Sequence, residues 1–289
     1  MTKSTIMLRL GDIQGRFVNA TSSLHYDEAY IVTAVTDVVD VVGQSPAGVF
    51  YGVQTLLSLL TADKTSGRRL VAGEVADAPR FSYRGLMLDV ARNFIAKDVV
   101  LRTIDVMAAY KMNRLHLHLT DDQGWRFDVP DLPELTAVGA RRGHDSRTDG
   151  DRSMLPPYLG SGPSPDDAAV NGGGGFYSRE DYGDILRHAR RRHVTVIPEV
   201  DVPGHSAAAI MSVRAQKLVG LRKNTTLVGE QISVNDYVMN LCLSSTLSFV
   251  EHIITVLVEL HKVCYSSASN CVRLSVILDR MMIFSSCYY

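Results

Sequence analysis

Tyr110-Lys111-Met112-Asn113-Arg114-Leu115-His116-Leu117-His118-Leu119-Thr120-Asp121-Asp122-Gln123-Gly124-Trp125-Arg126 is the stretch whose reading decides the fold. Leu115 to Thr120 is short, apolar and bounded by polar residues, which is the signature of a buried strand. It ends abruptly in Asp121-Asp122. Two further segments repeat the pattern: Leu86 to Val90, running into Asp89 and Arg92-Asn93-Phe94, and Val194 to Val200, ending Pro198-Glu199-Val200-Asp201 before Pro203-Gly204-His205. Helical stripes separate them. Val99, Val100, Ile104, Met107 and Ala108 lie between the first two strands. Before the third, Ser178 and Asp181 form a capping-box start, and Tyr182, Ile185, Leu186 and Ala189 follow at i, i+3, i+4 and i+7. This alternation predicts an α/β fold with a parallel sheet and crossover helices.

Upstream the pattern differs. Residues 29–43 are rich in β-branched residues with a Thr36-Asp37 break, which predicts a hairpin. Ser45 is placed to cap a helix with Pro46 at its first position, and Val49, Val53, Leu56, Leu57 and Leu60 are expected on its inner face. The polar run Thr61 to Arg69 and Ala78-Pro79 mark a boundary. Three regions follow: 1–79, a small α+β domain; 80–262, strands and helices; and 263–289, a tail of no clear period. The last helix is expected over about Ser245 to Lys262, with Leu247, Val250, Ile254 and Leu257 on one side. Asp121 to Tyr177, rich in Gly, Pro and Asp, is too long for an ordinary connection. It reads as a rim loop, with disorder of Gly160 to Gly175 the alternative.

Bulk properties narrow the function. A net charge of −1 over 289 residues argues against the concentrated basic surface that phosphate neutralisation needs, so no nucleic-acid partner is expected, and the run Arg187 to Arg192 reads as a solvated helix face. No apolar run reaches the roughly 20 residues of a membrane span. Met1 to Leu10 lacks the apolar core of a signal peptide. Cys242, Cys264, Cys271 and Cys287 show no C-x-x-C spacing and select no disulfide pairing. Asn19-Ala20-Thr21 and Asn224-Thr225-Thr226 match the glycosylation pattern, which is relevant only after secretion.

Polar groups where three strands end argue for one shared pocket, because charges beside apolar segments are costly unless paired or functional. Blander readings stand beside this one. Arg92 can pair with Asp89 or Asp121, His116 and His118 can be satisfied core histidines, and Asp121-Asp122 can cap a turn. A metal is not expected, since the two histidines lack a third ligand at recognisable spacing. No G-x-S-x-G elbow is present. Acid/base chemistry or sugar binding is left.

Residues 84–94, 110–126 and 198–205 together resemble family 20 β-N-acetylhexosaminidases, especially the chitobiase-like branch. Residues 130–135, 176–182 and 241–246 continue the likeness. The resemblance implies a small α+β domain followed by a (β/α)8 barrel that removes terminal N-acetylhexosamine from chitooligosaccharides or glycans without a cofactor. The substrate's own 2-acetamido group acts as nucleophile, an exception among glycosidases. Arg92 is then the residue that binds the terminal sugar's hydroxyls, and Asp121, His205, Glu199 and Asp201 form the network supporting the catalytic acid. Trp125 is expected in the core or at the rim.

One part of the pattern is missing. The family's catalytic Asp-Glu pair follows two glycines on the fourth strand, and this chain contains no Gly-Gly-Asp-Glu. In its place stands Ser275-Val276-Ile277-Leu278-Asp279-Arg280, where a permanently charged guanidinium cannot donate the proton. A barrel of ordinary size takes about 250 residues, more than follow Pro79. The expectation is therefore an incomplete, C-terminally truncated barrel with an exposed sheet edge. It would be inactive as a hydrolase. It would act otherwise as a carbohydrate-binding remnant or as a partner subunit of an intact homologue, associating as a homo- or hetero-oligomer. Family members are often secreted, lysosomal or periplasmic.

Overall fold

The β-branched run does fold as a hairpin. In the computed structural model, which describes residues 5–17, 25–63, 67–143, 154–162, 172–219 and 237–265, β1 (Thr5–Leu10) precedes β2 (Tyr30–Val35) and β3 (Val38–Gly43). Asp37 turns the hairpin at φ 65°, a left-handed conformation that Asp tolerates. Then follow α1 (Pro46–Leu59), β4 (Thr61–Asp63), β5 (Gly67–Arg69) and β6 (Gly73–Asp77). The four-stranded sheet has the order β1-β3-β2-β6, with β1 parallel to β3 and the other two pairs antiparallel. The polar run expected to be a plain boundary is instead the small antiparallel hairpin β4-β5.

Ser45 caps α1 as its sequence predicts, accepting from Gly48 N at 3.3 Å with Pro46 next. Leu56 is buried and Val49 and Val53 pack against the core as expected, but the centre of the buried face differs. Gly48, Tyr51, Gly52 and Leu56 face inward, while Leu57 is 52% exposed. The reason is close approach. Helix α1 lies so near the strand entry that a Cβ on Gly48 would sit 2.3 Å from the Ala29 carbonyl oxygen. Counting apolar side chains cannot find a face made partly of glycines. Tyr30, Val32, Val41, Tyr51 and Leu56 form the core beneath it.

Downstream come β7 (Gly85–Asp89), α2 (Lys97–Ala109), β8 (Arg114–Asp121), β9 (Gly124–Trp125), α3 (Glu134–Ala137), α4 (Arg179–Arg191), β10 (Thr195–Val200), α5 (Ala207–Val219) and α6 (Ser244–Tyr265). The second sheet has the order β10-β8-β7, with β9 folded back antiparallel on β8. Each adjacent pair of its main strands is joined through a helix, the connection that parallel pairing requires. Val100, Ile104, Met107 and Ala108 are buried on α2 as the stripe predicts, and Tyr182, Ile185, Leu186 and Ala189 on α4. The capping box at α4 is reciprocal: Asp181 N donates to Ser178 Oγ (3.0 Å) and Ser178 N to Asp181 Oδ2 (3.1 Å).

The chain divides into two compact units. One comprises Met1–Leu86, Thr103–Arg114 and Ala189–Thr195; the other comprises Met87–Arg102, Leu115–His188 and Val196–Tyr289. From Met87, Leu115 and Val196 onward, the strands of the second sheet thus belong to the second unit.

Two expectations for this region need correction. The long segment after Asp121 is not a bare loop where it is described, because Trp125, Phe127, Val129, Leu132 and Leu135 are buried. Trp125 is a core residue, its Nε1 donating to Phe127 O at 2.8 Å. On α6 the buried face is Phe249, Ile253, Val256, Leu257 and Leu260, whereas Leu247 is 55% exposed. The packing of Phe249 on Trp125, with ring centroids 6.2 Å apart, sets that register. Asn19, Asn224, most of Gly160 to Gly175, Asp279, Arg280, Cys271 and Cys287 lie outside the described residues. Among the described residues no helix is long and apolar enough to cross a membrane.

The close approach at α1 yields a stability test. Gly48→Ala should cost about 1–3 kcal/mol, as overpacking does, because the added methyl meets a backbone carbonyl. Gly73→Ala, which meets nothing within 4 Å, should change stability by less than ~0.5 kcal/mol. Urea unfolding monitored by circular dichroism reads both; equal midpoints would refute the contact.

Candidate active site

Strand ends gather the polar groups. Val90 N donates to His118 O (3.2 Å), which aligns the ends of β7 and β8, and Asp201 N donates to Thr120 Oγ1 (3.2 Å), which brings in the end of β10. The five residues expected from the sequence, Arg92, Asp121, Glu199, Asp201 and His205, thereby fall in one cluster within the second unit. The structure adds His118, which the sequence left as a core histidine.

Arg92 takes both of its bland pairings at once. Its Nη1 lies 2.6 Å from Asp89 Oδ2 and its Nη2 2.6 Å from Asp121 Oδ2, with Nε donating to Gln123 Oε1 at 3.1 Å. Burial alone would lower its pKa, but the Asp89 hydrogen bond and the Asp121 charge outweigh it and the net direction is upward. About a third of the side chain stays exposed, so a ligand can reach the guanidinium.

Asp121 is the hub. It is 1% exposed, yet both carboxylate oxygens are engaged. Oδ1 accepts from Asp122 N (2.7 Å) and lies 3.2 Å from His205 Nδ1, while Oδ2 meets Arg92 and, at 3.0 Å, His118 Nε2. Burial would raise its pKa, but the His118 hydrogen bond, the Asp122 N–H and Arg92 together carry it below the usual carboxylate value. The neighbouring Asp122 caps α5 by accepting from Ala207 N at 3.0 Å, the turn-capping role foreseen for the pair but applied to a distant helix.

His118 is 2% exposed and lies between two carboxylates, Nε2 on Asp121 and Nδ1 2.9 Å from Glu199 Oε2. His116 Nε2 is 2.5 Å from the same Glu199 oxygen, and both approaches to it lie off the N–H axis needed for a hydrogen bond. The carboxylates of Asp121 and Glu199 beside the His118 ring favour its protonated form. Burial opposes its charge, but Asp121 and Glu199 prevail and the pKa rises to about 9. Asp201 responds in the other direction from Asp121. Burial and the adjacent Glu199 carboxylate, opposed by His118, lift it to about 6. Glu199 and Asp201 are thus two carboxylates competing for one cation.

His205 is placed by a turn. After the cis Val202-Pro203 bond its backbone takes φ 51°, and its side chain is 60% exposed over Asp121 and Asp122. Two triads bring ligand-type atoms within 4.8 Å of one another: His118, Asp121 and Asp201, and Asp121, Asp122 and His205. In both, the lone pairs of Asp121 are already spent on Arg92, His118 and a backbone N–H, so the arrangement is a hydrogen-bonded network with its own internal cations.

Two buried arginines fix the rim, and the sequence assigned neither a role. Arg126, fully buried, donates to the carbonyls of Val90, Ala91, Ala140, Gly173 and Gly175. Arg142 donates to Arg92 O (2.6 Å), Gln123 O (2.9 Å) and Leu159 O (3.0 Å) and so holds the backbone that carries Arg92. Arg126 was visible at the end of the quoted motif. Nothing marked Arg142, because its partners are carbonyls, which every residue carries.

The comparisons with known proteins agree with this geometry. Residues 81–270 match the model of the glycosyl hydrolase family 20 catalytic domain, and residues 3–78 match that of family 20 domain 2. The N,N'-diacetylchitobiase of Vibrio harveyi is 40% identical over 84% of this chain and 28% of its own length, and the β-hexosaminidase of Vibrio vulnificus is 38% identical over 81% and 28%. Among solved structures, the family 20 exo-β-N-acetylglucosaminidase of Vibrio harveyi in complex with N-acetylglucosamine superposes with TM-score 0.70 at 28% identity, covering 90% of this chain and 42% of that one. The N-acetyl-β-hexosaminidase of Streptomyces plicatus in complex with Thio-NAglucal gives 0.62 at 34% identity, over 81% and 42%. This class of fold is a TIM-type barrel with a preceding domain. The chain belongs to glycosyl hydrolase family 20. It spans under a third of the length of the curated relatives it matches first.

The His118 bridge has a pH signature. Its folded pKa of about 9 lies above the ordinary 6.5, so its stabilisation is full below about 6.5 and is lost as pH rises through about 9. Asp201, raised from 3.8 to about 6, removes stability over that lower window in the same direction. His261, lowered from 6.5 to about 4 by burial, opposes the Asp201 contribution over that window, so the fall that reports the bridge is the upper one, and His118→Gln should abolish it. Urea midpoints from pH 4 to 10 with NMR titration of the imidazole would show it. An imidazole titrating near 6.5 would exclude the bridge.

Proposed function

We propose that this chain carries the sugar-anchoring part of a β-N-acetylhexosaminidase site, acting on terminal N-acetylhexosamine of chitooligosaccharides or glycans. The single observation that supports it most is Arg92, held between Asp89 and Asp121 with about a third of its side chain open to a ligand. Two donors on one guanidinium suit adjacent sugar hydroxyls, and two flanking carboxylates fix its plane. Asp121 and His205, with Glu199 and Asp201 behind them, would support a catalytic acid by holding charge close to it.

In the same reading, residues 1–79 are a small α+β domain, 80–262 the first part of a (β/α)8 barrel, and 263–289 a divergent tail. The strand and helix alternation of β7, α2, β8, α4 and β10 supports the barrel assignment. Hydrolysis by the family's substrate-assisted route needs an Asp to orient the acetamido group and a Glu to protonate the leaving oxygen. The chain has no Gly-Gly-Asp-Glu to supply them. The chain as given is therefore a binding element without turnover of its own.

Incubation of the 289-residue chain with an aryl β-N-acetylglucosaminide should release no chromophore above background. Binding of N-acetylglucosamine should weaken about tenfold or more in Arg92→Ala, as expected for loss of a charged hydrogen bond. Turnover that vanishes in Arg92→Ala would overturn the non-catalytic reading. Equal binding by both proteins would overturn the anchoring role.

A further inference from the structure

A second cavity lies within the first unit, built by residues that the Arg92 cluster does not use. It has a volume of about 190 Å³ and is lined by Glu28, Tyr30, Tyr51, Asp77, Arg84 and Lys111, with Tyr110 and Pro79 at its edge. Its charged groups are matched in advance. Arg84 Nη2 contacts Glu28 Oε2 at 2.5 Å, and Lys111 Nζ lies 2.5 Å from Tyr30 Oη and 3.5 Å from Asp77 Oδ2. Tyr30 Oη in turn donates to Asp77 Oδ2 at 2.6 Å.

One polar group is left over. Tyr51 is 2% exposed, and its Oη makes no hydrogen bond of good geometry among the described residues, with the Arg84 guanidinium close enough to act on it only electrostatically. Arg84 passes its ring with Cζ 5.6 Å from the centroid, but the guanidinium's Nε, Nη1 and Nη2 are already directed to Lys111 O, Phe81 O and Glu28. A buried hydroxyl without a well-directed hydrogen bond is unfavourable. A ligand hydroxyl could supply one.

From this geometry we infer that the cavity is a binding site for a neutral, hydroxyl-rich ligand the size of a single sugar ring. A formal charge of either sign would have to break an existing pair, which argues against anions and cations alike. Carboxylates at Glu28 and Asp77 retain lone pairs for hydroxyl donors, Tyr51 Oη can donate or accept, and Tyr110, 78% exposed, offers a ring face at the edge. At ~30 Å³ per water, the space holds about six waters. One pyranose would displace these, and an oligosaccharide would overfill the cavity. The site is independent of the Arg92 reading and stands whether or not that reading does.

The test is a titration of the isotope-labelled full chain with glucose, N-acetylglucosamine, glucuronate and glucosamine, followed by amide shifts. Neutral sugars should shift the amides of Tyr51, Asp77 and Lys111. That response should weaken about fivefold in Tyr51→Phe, as for one lost hydrogen bond, and weaken also in Tyr110→Ala, where the exposed side chain leaves the fold intact. Arg92→Ala should leave it unchanged, which separates this site from the proposed anchoring site. The inference is overturned if none of these amides responds to either neutral sugar, if the response survives both tyrosine variants, or if glucuronate or glucosamine binds more tightly than glucose.

Discussion

The second unit depends on a buried cation whose hydrogen bonds, among the described residues, all go to backbone carbonyls. Arg126 is completely buried, and its compensation comes from the carbonyls of Val90, Ala91, Ala140, Gly173 and Gly175. Burial and the neighbouring Arg142 lower its pKa, so the charge is retained against a real penalty. Five carbonyls from three separate stretches of chain can meet at one guanidinium only if the end of β7, the turn before Arg142 and the Gly-rich segment converge there. That convergence defines the rim. The Gly175 backbone at φ 123° packs where a Cβ would lie 2.3 Å from the Phe94 ring, so even the glycine is dictated by the approach.

Rim and site are coupled through backbone. Arg142 binds the carbonyls of Arg92 and Gln123, and Arg92 Nε donates to the Gln123 side chain, so Arg92 is held from behind as well as by its two aspartates. Such support is needed because Arg92 carries long-chain rotamer entropy that a working site must remove beforehand. The two arginines fix backbone, while Asp89 and Asp121 fix the side chain.

Legibility in the sequence followed how local the determining contacts were. β7, β8 and β10, α2 and α4, the capping box at Ser178 and Asp181, and the Ser45 cap all rest on neighbours within a few residues, and each was readable. The inner face of α1 was not, because it includes Gly48 and Gly52, whose contribution is the absence of a side chain. The register of α6 was missed for a related reason: Phe249 reaches Trp125 across more than a hundred residues, and that pairing outranks the aliphatic stripe beginning at Leu247. In the polar cluster the alternation of His116 and His118 with leucines was visible, but the bridge at His118 exists only once β10 brings Glu199 alongside β8.

The charge balance of that cluster explains why it can assemble from three strands. Asp121 is neutralised by Arg92 and His118, Asp89 by Arg92, and Glu199 by the ring of His118, while Asp201 relieves the remaining excess by binding a proton more readily than an ordinary carboxylate. Each compensating partner lies on or just after β7, β8 or β10. Four carboxylates, Asp89, Asp121, Glu199 and Asp201, face two cations, Arg92 and His118, so a carboxylic acid brought up to Asp121 and His205 would enter a net negative field that favours its protonated form. Anchoring and proton transfer are in this sense separable. In the proposed reading the anchoring arginine and its support lie at three strand ends, while proton transfer requires one further carboxyl group placed against them.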